Sequence, residues 1–157
     1  MQYDFGMIGL GTMGQNFLLN VADKGFSAAG LDKDETKVDT LLQVASHRKI
    51  MATTDQSDFL ASLKRPRKIM LLVPAGKIVD QVIDSLLPEL SNDDLIVDGG
   101  NSHFEDTLRR ATYLSNRGIR FLGRGSPGEE GARKDPVISC TAVMKQHGMT
   151  YAQFLKP

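Results

Sequence analysis

The stretch IGLGTMG, residues 8–14, decides the fold. It reads Gly-x-Gly-x-x-Gly, a pattern that is weak alone and much stronger in the right setting. Before it, Phe5 to Leu10 is a short apolar run that reads as a strand. After it, Met13, Phe17, Val21 and Ala22 recur at helical spacing, and Lys24-Gly25 supplies a basic last turn and a glycine stop. A glycine turn at such a junction has a job for each glycine. Gly9 permits the tight turn, Gly11 clears a side chain from where a pyrophosphate approaches the backbone, and Gly14 lets helix and strand pack closely. The freed N–H groups and the helix dipole suit phosphates.

The rest of the chain repeats the alternation. Phe26 to Leu31 reads as a second strand, and Val38, Leu41, Leu42 and Ala45 as a helix stripe. His47 to Ala52 is a weaker strand, followed by a short helix through Phe59, Leu60 and Leu63. Lys68 to Val73 has no polar alternation after Lys68, which implies cover on both faces. Val79, Val82, Ile83 and Leu86 form the next helical stripe, and Leu95 to Val97 and Ile119 to Leu122 are further strands. Strands alternating with helices at these intervals imply right-handed βαβ units. The expected fold is therefore α/β: a Rossmann-type, doubly wound, mainly parallel sheet with helices on both faces.

The second strand ends at Leu31-Asp32-Lys33-Asp34. An acid about 20 residues past the glycine turn is where this fold grips the adenosine ribose. Asp32 could accept both ribose hydroxyls and would repel the 2′-phosphate of NADP, so charge leans to NAD. Lys33 works the other way, since its ammonium could neutralise that phosphate. Asp34 is placed to cap the next helix.

A second strand-to-helix turn, Asp98-Gly99-Gly100-Asn101-Ser102-His103, lies beyond the carboxyl end of its strand, where open parallel sheets bind ligands. Ser102 and Glu105 match a capping box. Asn101 is left with a donor and an acceptor free for a nicotinamide or a substrate hydroxyl. His103 is read as a packing or supporting residue, not a proton carrier. Phe104, Leu108 and Ala111 share the expected buried face. Glu105 and Asp106 early, with Arg109, Arg110 and Arg117 late, suit the helix dipole.

Bulk properties bound the function. At 157 residues the chain is sized for one domain. Lys plus Arg and Asp plus Glu are both 19, so no global field attracts nucleic acid or an anionic membrane. The basic stretch Lys64-Arg65-Pro66-Arg67-Lys68 reads as a solvated loop. The longest aliphatic run, residues 69–73, is far short of the ~20 residues of a membrane span. The N-terminus lacks the pattern of a signal peptide. A single cysteine, Cys140, excludes an internal disulfide and fits a reducing cytoplasm, the expected location.

The residues also carry a resemblance. IGLGTMGQNFLLNVADKGFS (8–27), MLLVPAG (70–76), IVDGGNSHFEDTLRR (96–110), GIRFLG (118–123) and GEEGAR (128–133) resemble the N-terminal domain of the 6-phosphogluconate dehydrogenase family, over residues 3–134. That family oxidises 6-phosphogluconate at C3 by hydride transfer to a nicotinamide, usually of NADP. The keto acid then loses CO2 and becomes ribulose 5-phosphate, with no metal required. The resemblance implies that Gly9, Leu10, Gly11, Thr12, Met13 and Gly14 form the dinucleotide loop. It implies cofactor contacts from Asp32, Lys33 and Asp34, from Val73, Pro74 and Ala75, and from Asn101. Asn101, Ser126, Pro127 and Gly128 are the implied substrate-binding positions.

Three departures stand out. Asp32-Lys33-Asp34 replaces an Asn-Arg-Thr that often holds the 2′-phosphate. The loop from Gly125 to Gly131 is one residue shorter than the family's and has Pro127 where the family has glycine, which removes a backbone donor. Residues 135–157 depart from the family's Met-Pro-Gly-Gly continuation until Phe154-Leu155-Lys156-Pro157. The expected organisation is a dinucleotide-binding domain over 1–134 and an aberrant or incomplete extension over 135–157. A one-base slip in the reading frame is the hypothesis for that extension, and the gene's nucleotide sequence tests it. The family's catalytic lysine and glutamate, its helical domain and its homodimer contacts would lie beyond Pro157, so no catalytic residue and no metal ligand is assigned. Expectation is of a chain that binds dinucleotide and turns over nothing alone. The competing readings are a non-catalytic dinucleotide module, for which Asn101 beside a Glu-Glu-Gly loop has no use, and another 3-hydroxyacid dehydrogenase, for which DGGNSH is the wrong signature.

Overall fold

Six parallel strands in the order β3-β2-β1-β4-β5-β6 build the sheet of the computed structural model, which describes residues 1–126. The strands are β1 (Phe5–Ile8), β2 (Ala28–Leu31), β3 (Ile50–Thr53), β4 (Lys68–Leu71), β5 (Leu95–His103) and β6 (Arg120–Ser126). The helices between them are α1 (Thr12–Asp23), α2 (Glu35–Ala45), α3 (Gln56–Ser62), α4 (Lys77–Leu86) and α5 (Phe104–Ser115). Strand order reverses between β1 and β4, which makes the crevice beyond their carboxyl ends the switch point of a doubly wound sheet.

Every residue of β1 and β2 is buried, because helices cover both faces. Phe5 and Met7 join Leu18, Val21, Val38 and Leu41 on the α1 and α2 side. Ile8, Ile69, Leu71 and Ile96 join Phe59, Val79, Ile83 and Leu114 on the side of α3, α4 and α5. β3 is half-buried throughout, as an edge strand should be, and starts at Ile50 instead of His47.

Several local expectations shift. The inward residues of α1 are Gly14, Leu18 and Val21, while Met13 is 73% exposed. Glycine at position 14 hides the true phase, since it carries no hydropathy yet faces the sheet. Leu42 lies outside the buried stripe of α2. On α5 the buried residues are Arg110 and Leu114, and Leu108 is exposed. The basic stretch at 64–68 is not uniformly solvated. Arg67 is buried against Asp94, with Nη1 donating to Oδ2 at 2.9 Å and its main-chain N–H donating to Oδ1 at 2.7 Å. Its Nε donates to the carbonyl of Leu60 and Nη1 also to that of Glu89. Among the described residues no helix is long and apolar enough to cross a membrane.

Candidate functional site

The loops after β1, β4 and β5 converge at the switch point. Leu72, just past β4, donates its N–H to the carbonyl of Ile8 at 2.8 Å. Gly9 then turns with φ +100°, and a Cβ there would run into the carbonyl of Leu72. A Cβ on Gly100 would sit 3.4 Å from the carbonyl of Val73, so the β5 loop lies against the β4 loop. The structure thus brings Gly9 to Gly14, Val73 to Ala75, and Asn101 to one end of the sheet.

Within the glycine turn the roles divide. A Cβ on Gly14 would meet the carbonyl of Gly9, so this position is closed by packing. A Cβ on Gly11 would meet nothing within 4 Å. Gly11 begins α1 without any side-chain cap, and no acidic residue lies in that first turn. The other four α-helices among the described residues each carry an acid there: Glu35, Asp58, Asp80, and Glu105 with Asp106. The N–H groups of a first turn have no intrahelical partner, so this end is positive, open and undischarged. Thr12 and Met13 stand exposed beside it. Leu10 sits in the turn with its own groups engaged. Its side chain is buried in the core, its N–H is taken by Asp32, and its carbonyl accepts from Gln15 Nε2 at 2.9 Å.

Asp32 is a structural tie as well as a ribose candidate. Oδ2 accepts from Leu10 N–H at 2.7 Å and Oδ1 from Asp34 N–H at 3.0 Å. Lys37 Nζ lies 3.5 Å from Oδ2. Partial burial pushes the carboxyl up, but the two N–H donors and the Lys37 ammonium together hold it below its ordinary value. Asp32 therefore stays ionised, with Oδ2 shared by Leu10 N–H and Lys37 and a lone pair on Oδ1 left for a further donor. Lys33 is exposed, and Asp34 caps α2 by accepting from Thr36 N–H at 3.0 Å.

Pro74 and Ala75 are exposed and Val73 is half-buried, ahead of Gly76 at φ +92° and the start of α4. Asn101 is exposed, and its side chain makes no hydrogen bond among the described residues. The capping box is corrected. Ser102 is fully buried, and the cap of α5 is His103, whose Nδ1 accepts from Glu105 N–H at 3.4 Å. The cause is tertiary: β5 bulges after Asp98 and resumes pairing at Ser102 with Gly125 and His103 with Ser126. Ser102 then donates to Asp98 and accepts from Arg110 Nη1 at 3.1 Å. Sequence reading missed Asp98 and Arg110; the available signal was the inward spacing Thr107, Arg110, Leu114. Ser126 closes β6 beside His103, while Pro127, Gly128 and the extension at 135–157 lie outside the described residues.

A parallel sheet wound in this order, with an uncapped glycine turn at its switch point and an acid at the end of β2, defines a dinucleotide-binding domain. Comparison with known proteins narrows the class. The chain belongs to the family of the NAD-binding domain of 6-phosphogluconate dehydrogenase, whose family model matches residues 4–153. The decarboxylating 6-phosphogluconate dehydrogenase 1 of Saccharomyces cerevisiae is 50% identical over 140 residues, 88% of this chain and 29% of that protein. The Haemophilus influenzae enzyme is 45% identical over 156 residues, 98% of this chain and 31% of that protein. The chain thus spans about three tenths of the length of these relatives. Plasmodium falciparum 6-phosphogluconate dehydrogenase, solved in its apo form and in complex with NADP+ and with 6-phosphogluconate, superposes with TM-score 0.74 at 33% identity, over 83% of this chain and 28% of that one. Mycobacterium tuberculosis 3-hydroxyisobutyrate dehydrogenase shares the fold, with TM-score 0.67 at 20% identity over 84% of this chain and 43% of that one.

Proposed function

We propose that this chain is the cofactor-holding part of a decarboxylating 6-phosphogluconate dehydrogenase and that it prefers NAD. The observation that carries the cofactor reading is the start of α1: open space over Gly11, no cap and no first-turn acid. A diphosphate fits there because backbone N–H groups and the helix dipole supply the positive end. Gly11, Thr12, Met13 and Gly14 would hold the diphosphate, and Asp32 the adenosine ribose. Val73, Pro74, Ala75 and Asn101 would border the nicotinamide. When bound, the nicotinamide supplies a hydride acceptor for C3 of 6-phosphogluconate.

The chain's own residues bind and orient. Asn101 can donate to a carboxamide or accept from a substrate hydroxyl. Ser126, Pro127 and Gly128 are proposed to border the sugar acid, on the resemblance alone. No residue is assigned proton transfer: the Nδ1 of His103 is committed to Glu105 N–H, which fits a supporting role. The domain boundary near residue 134, homodimer formation and a cytoplasmic location are part of the same proposal.

NAD preference rests on Asp32, which stays charged at the end of β2 and opposes a 2′-phosphate. Lys37 offsets part of that charge from 3.5 Å. Titration calorimetry with NAD+ and NADP+ tests both claims. Expected is NAD+ binding at least tenfold tighter, about 1.4 kcal/mol. Tighter NADP+ binding refutes the preference, and binding of neither refutes the cofactor site.

A further inference from the structure

Arg110 has the largest fully buried side chain among the described residues, at 1% exposure. Its guanidinium spans two loops. Toward α4, Nε donates to Asp80 Oδ1 at 2.8 Å and Nη2 to the Gly76 carbonyl at 2.9 Å and Asp80 Oδ2 at 3.2 Å. Toward β5, Nη1 donates to Ser102 Oγ at 3.1 Å and lies 3.6 Å from Asp98 Oδ2. Asp98 in turn accepts from Ser102 Oγ and from Gly100 N–H, the latter at 3.0 Å. Gly76 closes the Val73-Pro74-Ala75 turn, and Gly100 and Ser102 flank Asn101. One planar cation therefore holds both loops that border the proposed nicotinamide site, and no part of the glycine turn.

Burying an arginine and Asp98 costs more than burying a leucine of similar volume would, unless the geometry serves something besides packing. Leu114, one turn on, already packs α5 onto the sheet. We infer that Arg110 is a positioning residue that locks the 73–76 and 98–102 loops into one unit and so sets the nicotinamide half of the cleft independently of the diphosphate half. This rests on the dinucleotide reading. Lysine cannot replace it, because an ammonium lacks the fork that reaches Asp80, Gly76 and Ser102 together.

The molecule contains its own control. Arg67 and Asp94 form a second buried pair among carbonyls of Leu60 and Glu89, at the amino end of the sheet, away from either loop. The experiment compares Arg110→Lys, Asp80→Asn and Arg67→Lys with the parent chain. Each is titrated with NAD+ and with ADP-ribose, which lacks the nicotinamide. Hydrogen exchange is followed at the amides of 76–79, 99–103 and 11–14. Arg110→Lys should weaken NAD+ at least tenfold while leaving ADP-ribose within twofold. Exchange should quicken at 76–79 and 99–103 together and stay unchanged at 11–14. Asp80→Asn, altered at a partly exposed side chain, should give the same pattern more weakly and carries the test if Arg110→Lys does not fold. Arg67→Lys should not separate the two ligands. Equal loss of both ligands in Arg110→Lys, or exchange that quickens at one loop only or at neither, overturns the inference. If the parent binds neither ligand, the cofactor proposal fails, and the exchange pattern still decides whether Arg110 couples the loops.

Discussion

The main-chain N–H of Leu10 donates to Oδ2 of Asp32 across 2.7 Å, fastening the glycine turn after β1 to the end of β2. The other oxygen of Asp32 holds Asp34 N–H at 3.0 Å. Asp32→Asn keeps one acceptor and turns an amide donor toward the other N–H. Loss of a hydrogen bond to a charged acceptor should cost about 1.5–3 kcal/mol in urea denaturation. With the negative charge gone, the ratio of NADP+ to NAD+ affinity should rise about tenfold, ~1.4 kcal/mol. An unchanged denaturation midpoint would show that the tie is not stabilising, and an unchanged ratio that Asp32 does not read the ribose.

The glycines of the turn should separate by phenotype. Gly11 has open space above it and φ −67°, a conformation any residue adopts. Gly11→Ala should therefore fold, losing under about 1 kcal/mol for a poorer helix start, while dinucleotide affinity drops at least tenfold. Gly14→Ala meets the carbonyl of Gly9, which cannot move without displacing the turn. Its cost belongs at the upper end of the ~1–3 kcal/mol of overpacked sites. Circular dichroism melts and calorimetry distinguish the two; a Gly11→Ala chain with full affinity would remove the diphosphate from this place.

The fold was legible because alternation of buried strands and amphipathic helices is a local signal that survives small errors of phase. Phase itself was less legible. Gly14 and Arg110 occupy inward helix positions without being apolar, so a hydropathy stripe drawn through Met13 or Leu108 turns to solvent. Ser102 shows a different limit. Ser102 and Glu105 fit a cap by spacing, yet β5 resumes pairing with β6 at Ser102, and a buried carboxylate and guanidinium claim its hydroxyl. His103 takes the cap instead. Such a choice depends on residues from three elements that no short window contains. The placement of the glycine turn, Asp32 and the Gly-Gly-Asn loop at the crevice was legible for the opposite reason: it follows from position relative to a strand end.

Asn101 gives a cleaner functional test than any buried residue. Its side chain is exposed and hydrogen-bonds to no described residue, so Asn101→Ala should change stability by no more than about 0.5 kcal/mol. NAD+ affinity should nevertheless fall, with ADP-ribose binding unaffected. Equal affinity of parent and variant for NAD+ would remove Asn101 from the cofactor site.

Acid should weaken the clamp between α4 and α5 before it unfolds the chain. The hydrogen bond from Arg110 is the main cause that holds Asp80 below its ordinary 3.8, with Arg109 adding to it against the upward push of partial burial. A carboxyl depressed in the folded state binds fewer protons there than in the unfolded chain. Its contribution to stability is thus complete well above 3.8 and is lost as pH falls below that value toward the folded pKa. Asp32 is depressed in the same sense by Asp34 N–H, Leu10 N–H and Lys37, against its own desolvation, and adds to the same acid limb. Asp80→Asn should therefore be less stable than the parent at neutral pH, and the gap should narrow as pH falls through and below 3.8, where the unfolded parent takes up a proton that its folded form still refuses. Urea midpoints at pH 7, 5, 4 and 3 measure the gap directly. A gap that stays constant across the series would mean that Asp80 is not held ionised by Arg110.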